Sequence, residues 1–416
     1  MLNASFTTVC DKFTEPALSL IPACAAWRQC PDLSDAHWVS LGLQRVLHES
    51  PTGRAFLQTH GPSWDFCPEV SHYFHTLKSP RRLRLLQELN DLLAVRLQES
   101  LPDELARFPQ LDDFDLHAGD GHWHKAASHE IRLEGKIHPT GHFYALDLRR
   151  RTVRVLATGQ GKKEHDRHVL KRLPKDRLRA GAPVGRKVLY VWDKAGIDFR
   201  FWHALKTTAG IYFISLEKEN MVLEVLGQKI WDANDPLNHG VLQDEYVRSA
   251  SGVRLRRVTY AVPSTGERLT FLTTEMTLPP GLIAHLYHLR WKVEKVFDGF
   301  KNKLNEKKSW ATTPAAKAAQ AQLLCLTHNL IRRVEEELAS QEGVVNEPDH
   351  QRHRERLAQQ KEATQQARRL WPSTWETLQQ PVIYSVKLIR WLRSSFQSRL
   401  AWTAALPHLQ ALYATL

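Results

Sequence analysis

The chain has 416 residues, of which 42% are hydrophobic, so it is long enough for two or three domains with a sizeable core. Lys and Arg exceed Asp and Glu by 12, which favours a polyanionic partner. There is no run of about 18 apolar residues and no signal peptide, so the composition argues against a membrane protein and favours a cytoplasmic one. The five cysteines are scattered and form no CxxC pair, which argues against a structural zinc site or a disulfide framework.

The N-terminal part, residues 1–110, is predicted to be helical. Residues 35–50 and 79–101 both carry apolar residues at helical spacing. Turn signals at 51–53 and 61–63 separate them.

From about residue 111 the pattern indicates a mixed α/β sheet. The predicted order is β-β-β-α-β-α-β, with the fourth strand nearly all apolar in KVLYVW. Residues 217–277 interrupt this order and are predicted to form a β-rich insertion. Residues 311–416 are predicted to be mostly helical, with a polar stretch at about 341–368.

The positive charge is concentrated between Arg149 and Lys187, where 14 basic residues face three acids, which gives 14 − 3 = +11. Such a run is often only a solvated face. Its density favours a patch that meets phosphates, which would give affinity without sequence choice.

The most informative motif lies in the stretch 286–302, which contains no Pro and no Gly before Gly299 and is predicted to be one helix. Tyr287, Arg290, Glu294 and Lys301 follow the spacing Y-x2-R-x3-E-x6-K, which places them within about 60° on one helical face. A carboxylate can ligate a metal ion, and the cations and the phenol can hold phosphates. Alternatively, Arg290 and Glu294 form an ordinary i,i+4 pair.

Two further acids are predicted to lie at strand ends, Asp120 after the first strand and Asp193 after the apolar fourth strand. Ligands gather at the carboxyl ends of strands in α/β sheets, so Asp120, Asp193 and Glu294 are expected to converge. Oxygen ligands alone favour Mg²⁺ or Mn²⁺, and a pair of such ions can drive phosphodiester chemistry. Each aspartate taken alone could be a turn or cap residue.

Four histidines near Asp120 leave a zinc or iron site open as an alternative. They are His117, His122, His124 and His129. No matching partner motif is evident, so packing in the core and proximity to DNA are the preferred interpretations.

The order D…D…E, with Glu294 inside the Y-R-E-K spacing, resembles the DDE transposases of bacterial insertion sequences, specifically the insertion sequence four family. The resemblance covers residues of about 110–310. It implies a ribonuclease H-like core in which Asp120, Asp193 and Glu294 bind Mg²⁺ or Mn²⁺. One departure is that Asp193 precedes Lys194-Ala195-Gly196, where the family commonly has Arg-Gly.

The resemblance also implies residues that contact DNA. Tyr287, Arg290 and Lys301 would contact phosphates near the cleavage site, and Trp231, inside the insertion, could stack on a flipped base. Core packing is the alternative for Trp231.

Together these expectations describe a cut-and-paste transposase of the bacterial cytoplasm, associated with the nucleoid and without a membrane partner. Its partners would be double-stranded DNA, as terminal inverted repeats and as target, and a second copy in a homodimeric synaptic complex. The expected regions are a DNA-binding region at 1–110, the catalytic core at 111–310 with the insertion at about 217–277, and a helical region for DNA contacts or dimerisation at 311–416. The alternatives are a metal-dependent nuclease without strand transfer and a catalytically silent, transposase-derived DNA-binding protein.

Overall fold

A computed structural model of the chain describes residues 7–50, 52–60, 68–130, 132, 135–159, 164, 166–262, 266–304, 308–346, 351, 355, 358 and 386–414. Most of the polar stretch at 341–368, together with Cys67, Lys162, Lys163 and the side chain of His124, lies outside this part. None of the described helices combines the length and the apolar character that a membrane span needs.

The helices are α1 (Val9–Leu18), α2 (Asp35–Leu47), α3 (Gly53–His60), α4 (Val70–Thr76), α5 (Pro80–Ser100), α6 (Asp166–Arg172), α7 (Lys175–Arg179), α8 (Phe199–Ala209), α9 (Pro280–Leu289), α10 (Trp291–Asn302), α11 (Pro314–Ser340), α12 (Val386–Gln397) and α13 (Trp402–Ala414). The strands are β1 (Phe114–His124), β2 (Thr140–Asp147), β3 (Val153–Thr158), β4 (Lys187–Trp192), β5 (Ile211–Leu216), β6 (Leu223–Gln228), β7 (Val241–Ser249), β8 (Arg254–Ala261) and β9 (Arg268–Thr273).

The N-terminal helices begin where the sequence supplies caps. Ser34 caps α2 by accepting a hydrogen bond from the backbone N–H of His37, and Ser79 caps α5, whose first residue is Pro80. The helices predicted at 35–50 and 79–101 are therefore confirmed. Arg81, in the first turn of α5, forms a bidentate ion pair with Asp35 of α2, with both contacts at 2.7 Å. This pair fixes the two helices to each other.

The described strands form one nine-stranded mixed sheet in the order β3-β2-β1-β4-β5-β9-β8-β7-β6. Strands β1, β4 and β5 are parallel, and the other neighbours are antiparallel. The mixed α/β class is confirmed, and the predicted order β-β-β-α-β-α-β is confirmed except that two helices, α6 and α7, lie between β3 and β4. The β-rich segment at 217–277 does not stand apart, because β9 pairs with β5 and extends the same sheet.

Both faces of the sheet are covered. On one face the main core continues from the N-terminal helices through α11 to α12 and α13. On the other face α6, α7 and α8 cover a second core in which Trp202 stacks on Phe213, with ring centroids 5.2 Å apart. Asn329 of α11 exchanges two hydrogen bonds with the backbone of Val153, at 2.8 and 2.9 Å, and so ties α11 to the edge strand β3.

Two predicted details are wrong in the same region. Asp120 lies inside β1 and not after it, because β1 continues to His124 in its pairing with β2. The single helix predicted over 286–302 is two helices, since the chain turns at Arg290, whose N–H bonds to the carbonyl of Tyr287 at 3.0 Å. Tertiary packing is the cause: α9 packs on β8 of the β-rich segment, whereas α10 packs on β1 and β2.

Candidate active site at the carboxyl edge of β1 and β4

The strand register brings the two candidate aspartates together. β1 and β4 run parallel, and their paired residues end at Gly119 opposite Trp192. Asp120 and Asp193 are the next residue on each strand, so they leave the same edge of the sheet side by side. Neighbouring strands are about 4.8 Å apart, which is close enough for two carboxylates to share a cation.

A buried tryptophan holds this edge in place. Trp192 is fully buried, and its indole lies between two glycines. A β-carbon at Gly119 would lie 1.6 Å from Cζ3 of Trp192, and one at Gly196 would lie 2.2 Å from Cδ1. The ring therefore fills the space between β1 and the turn after Asp193, and only glycine leaves room for it.

Gly119→Ala is expected to destabilise the protein by about 1–3 kcal/mol, because the added methyl group overlaps the Trp192 ring. The shift of β1 against β4 would also separate Asp120 from Asp193 and lower activity. Urea unfolding measures the first effect. The double variant Gly119→Ala with Trp192→Leu tests whether the overlap with the ring is the cause. Without the ring the added methyl group should cost less, so the double variant should lose less stability than the sum of the two single variants. Strict additivity would mean that the methyl group and the ring do not meet.

The third acid, Glu294, follows a helix whose start contacts the β-rich segment. Asn238, in the connection between β6 and β7, accepts a hydrogen bond from the N–H of Gly281 in the first turn of α9, at 3.1 Å. Buried Arg256 of β8 donates to the carbonyl of Leu278 at 2.7 Å, just before α9 begins. These contacts set the start of α9, and therefore the position of Glu294 in the first turn of α10.

Arg290 lies at the centre of the charged groups. Its Nη2 is 2.9 Å from Oε1 of Glu294, and its Nη1 is 3.6 Å from Oδ2 of Asp120. Arg290 is only 7% exposed, and burial by itself would lower its pKa. The net pKa is nevertheless raised, because nearby groups outweigh burial; these groups are Tyr287, Glu294, Asp120 and Asp193. Arg290 is therefore a fixed cation shared by the three carboxylates.

The donor chemistry of this site fits Mg²⁺ or Mn²⁺, since carboxylate oxygens are the ligands that both ions prefer. As the side chains stand, the carboxylates face the guanidinium of Arg290. Within the part of the chain that the structure describes, no three His, Cys, Asp or Glu side chains form a group that could hold a metal ion. The site thus presents suitable donors around one positive charge.

The other motif residues occupy different environments. Tyr287 is buried against Phe271, with ring centroids 5.1 Å apart, and burial raises the pKa of its phenol. Lys301 is exposed in the last turn of α10, and Trp231 is half-buried in the connection that follows β6. The structure brings Tyr287 and Arg290 to the carboxylates, whereas Lys301 lies almost two helical turns beyond Glu294.

Two histidines of β1, His117 and His122, have packing roles. His122 stacks on Phe297 of α10, with ring centroids 4.7 Å apart, and His117 packs on Tyr190 at 5.1 Å. Burial lowers the pKa of His117 well below its ordinary value, and the charge of Arg154 lowers it further, so the ring is neutral at physiological pH. His129 is exposed.

Much of the positive charge of the segment 149–187 is neutralised by acidic residues of the same protein. Arg179 donates to backbone carbonyls, including that of Ala209 at 2.6 Å, while Arg167 and Lys175 are exposed. Charge counting within one segment misses acids that lie far away in sequence, so the phosphate patch stays a prediction for the remaining cations only. At least seven of the 14 basic residues pair with acids: Arg149 and Arg150 with Asp103, Arg151 with Glu104, Lys171 with Asp198, Arg172 with Glu164, Arg177 with Asp91, and Arg186 with Asp115.

Sequence reasoning does not identify Gly119 and Trp192 as supports of the site. The available signal is their position, since each directly precedes a candidate aspartate. It gains meaning only once the register of β1 and β4 is known.

Two comparisons show which known proteins this chain resembles. The family described as "Transposase DDE domain" matches residues 116–330, more than half of the chain, and this range contains all three acids. A protein of Sinorhizobium fredii named "Putative transposase y4zB" is 30% identical over 135 residues, which cover 30% of this chain and 37% of that protein. The match thus spans little more than a third of that relative. The family match, which runs from β1 into α11, shows that this chain belongs to the transposase DDE domain family.

Proposed function

We propose that the protein is a DNA transposase that cleaves DNA at the ends of a mobile element and joins those ends to a target. Asp120, Asp193 and Glu294 are its catalytic carboxylates. The observation that carries the proposal is that Asp120 and Glu294 lie within 3.6 Å of the guanidinium of Arg290, while Asp193, on the strand next to Asp120, also raises the pKa of Arg290 by its charge. The family match and the name of the relative support the same function.

Each part of the chain has a distinct task in this proposal. Asp120 and Asp193 are fixed by neighbouring strands and Glu294 by the first turn of α10, and these three would hold Mg²⁺ or Mn²⁺. When bound, such ions activate a water or a 3′-hydroxyl and stabilise the leaving oxygen of a phosphodiester. Trp192, between its two glycines, keeps the aspartates in register.

Arg290 makes it possible for an anionic DNA strand to approach three carboxylates. Its charge offsets part of theirs before any DNA arrives, and its guanidinium can bind phosphate oxygens in two directions. Tyr287 lies next to it, and Lys301 extends the same helix toward solvent. We assign phosphate contacts to these three residues, and base stacking to Trp231.

The finer description follows the Y-R-E-K spacing. We propose a cut-and-paste enzyme of the insertion sequence four family with a ribonuclease H-like core at 111–310, which acts on terminal inverted repeats and on target DNA at the bacterial nucleoid. Residues 1–110 would recognise the ends, and residues 311–416 would make further DNA contacts or form the homodimer. The order β3-β2-β1-β4-β5 and the extension of the sheet by the β-rich segment support this description.

The test uses the full-length protein and duplexes that carry the inverted repeats flanking its coding sequence. With Mg²⁺ or Mn²⁺ we expect cleavage at the repeat ends and joined products with a supercoiled target plasmid, and neither in EDTA. Duplexes with scrambled ends are the matched control. Cleavage without joined products would indicate the nuclease alternative, and end binding without cleavage would indicate the silent DNA-binding alternative.

A further inference from the structure

A second feature lies away from the carboxylates, where the N-terminal helices meet the catalytic part of the chain. A cavity of about 1060 Å³ opens between α2, α3 and α4 on one side and the segments 127–129 and 308–312 on the other. Among the described residues that line it, four are Lys or Arg, one is His129, and one, Glu69, is acidic. The four Lys and Arg residues are Arg45, Arg54, Lys78 and Lys308.

Arg45 is the unusual member of this set. It is 4% exposed, and its guanidinium lies over Trp310, with Cζ 3.9 Å from the ring centroid. Tyr73 and Phe74 flank it, each with a ring centroid 5.6 Å from Cζ. Within the described part of the chain its Nη1, which is buried, has no hydrogen-bond partner, and no acid forms an ion pair with the side chain.

A buried guanidinium nitrogen without a hydrogen-bond partner, on a side chain without an ion pair, is costly to a fold. The aromatic rings compensate in part, because their faces attract a cation. Two other buried arginines in the described part of the chain have polar partners. Arg256 is paired with Asp244. Nη1 of Arg82 also lacks a hydrogen-bond partner, but the same guanidinium donates through Nη2 to the carbonyl of Leu33 at 2.7 Å and lies 3.5 Å from the carboxylate of Asp35. The cavity beside Arg45 therefore presents a cation that lacks an anion.

The walls of the cavity continue the elements that carry the catalytic carboxylates. Segment 127–129 follows β1, and segment 308–312 follows α10. They are joined by the Ser309 N–H donating to the carbonyl of Lys125 at 2.8 Å, and by Lys308 Nζ donating to Ser128 Oγ at 2.8 Å. Ala127 is seven residues beyond Asp120, so it lies at most about 25 Å away. A DNA strand covers that distance in about seven base pairs at 3.4 Å each.

We propose that this cavity binds a backbone phosphate of the DNA strand that passes over the active site, within about seven base pairs of the reacting phosphodiester. Arg45 is the buried anchor, and Lys308, Arg54 and Lys78 bind the same strand at the mouth. The proposal rests on the proposed function only in taking DNA as the substrate. It assigns the junction between the N-terminal helices and the catalytic part as the place where the DNA end is held.

The first experiment measures DNA affinity and thermal stability of Arg45→Met. Binding of an inverted-repeat duplex is followed by fluorescence anisotropy in EDTA at several salt concentrations. We expect affinity to fall roughly tenfold, as for the loss of one charge-assisted contact, and the slope of log K against log salt to shrink by about 0.9. The free protein should unfold at the same temperature or a higher one, because the variant removes an unpaired buried charge.

Arg82→Met is the matched control, since Arg82 is also buried and lies over an aromatic ring, Trp38, but has polar partners. It should lower the unfolding temperature and leave the salt slope unchanged. If Arg45→Met behaves like this control, Arg45 is a packing residue and the proposal is overturned. Should Arg45→Met not fold, Lys308→Met must show the same loss of salt slope, and an unchanged slope there rejects the cavity as a DNA site.

The second experiment locates the phosphate. Duplexes with one neutral methylphosphonate at each position near the end should show a position, within about seven base pairs of the cleavage point, that weakens wild-type binding and has no further effect on Arg45→Met. A thermal shift with thymidine 5′-monophosphate, present in wild type and lost in Arg45→Met with DNA affinity unchanged, would assign the cavity to a free nucleotide instead. Because binding is measured without a divalent cation, these outcomes are independent of whether the carboxylates catalyse cleavage.

Discussion

Glu294→Gln is expected to lower DNA cleavage on the order of 1,000-fold while binding of the DNA ends is retained. The change keeps the shape of the side chain and removes one of the three carboxylates that would hold the divalent cation, whose electrostatic contribution to phosphodiester chemistry amounts to several kcal/mol. Glu294 is about one-third exposed, so its 2.9 Å pair with Arg290 adds little to stability and the fold should survive. Cleavage rates and anisotropy on the same duplex measure the two properties separately.

Asp298→Asn is the matched control for this prediction. Asp298 lies one turn further along α10, is exposed, and contacts Asn302 at 2.6 Å. The substitution removes the same charge from the same helix as Glu294→Gln does, and it should leave cleavage nearly unchanged. Normal cleavage by Glu294→Gln would contradict the assignment of Glu294, and equal losses in both variants would indicate a general charge effect.

Asp244→Ala is expected to lower the free energy of unfolding by about 3–5 kcal/mol. Asp244 and Arg256 are both fully buried and form two hydrogen bonds, at 2.8 and 2.7 Å. Removing Asp244 leaves the buried charge of Arg256 with only its longer ion pair, to Glu275 at 3.6 Å, and the loss of a close buried partner is among the most destabilising changes a core can undergo. Arg256 also donates to Leu278 before α9, so the start of that helix should loosen and activity should fall with stability.

Urea unfolding measures this loss, and Glu224→Ala is the control. Glu224 pairs with Arg248 at 3.3 Å on the same sheet, but both side chains are largely exposed, so its removal should cost about 0–1 kcal/mol. The double variant Asp244→Leu with Arg256→Met should recover only part of the lost stability, since apolar groups can replace the pair but buried Glu275 then loses its ion pair with Arg256. If Asp244→Ala costs no more than Glu224→Ala, the pair does not anchor α9.

The elements that could be predicted are those whose signal is local. The apolar run of β4 and the helical periodicity of α5 depend on short stretches, and the structure has both. The position of Asp193 directly after β4 follows from the same signal. Asp120 is different, because β1 continues beyond it through pairing with β2, a partner that a single stretch of sequence does not reveal.

Two other differences between the sequence-based expectations and the structure have the same physical origin. The break at Arg290 comes from two helices packing on different strands, although the local sequence favours one helix. The basic run at 149–187 suggested a free patch, yet Arg149 pairs with Asp103 and Arg177 with Asp91, acids that are 46 and 86 positions away. Long-range partners decide which charges remain available, so a candidate site is located more reliably by its spacing motif than by its charge density.

The position of Arg290 next to the carboxylates has a consequence for folding. Three carboxylates brought together without a counter-charge would repel one another and oppose folding. Because Arg290 is part of the same chain, the counter-charge is present as soon as α9 and α10 pack on the sheet. If the carboxylates bind a divalent ion as proposed, the protein would reach its native state without that ion, and ion concentration would act on reaction rate and not on the yield of folded protein.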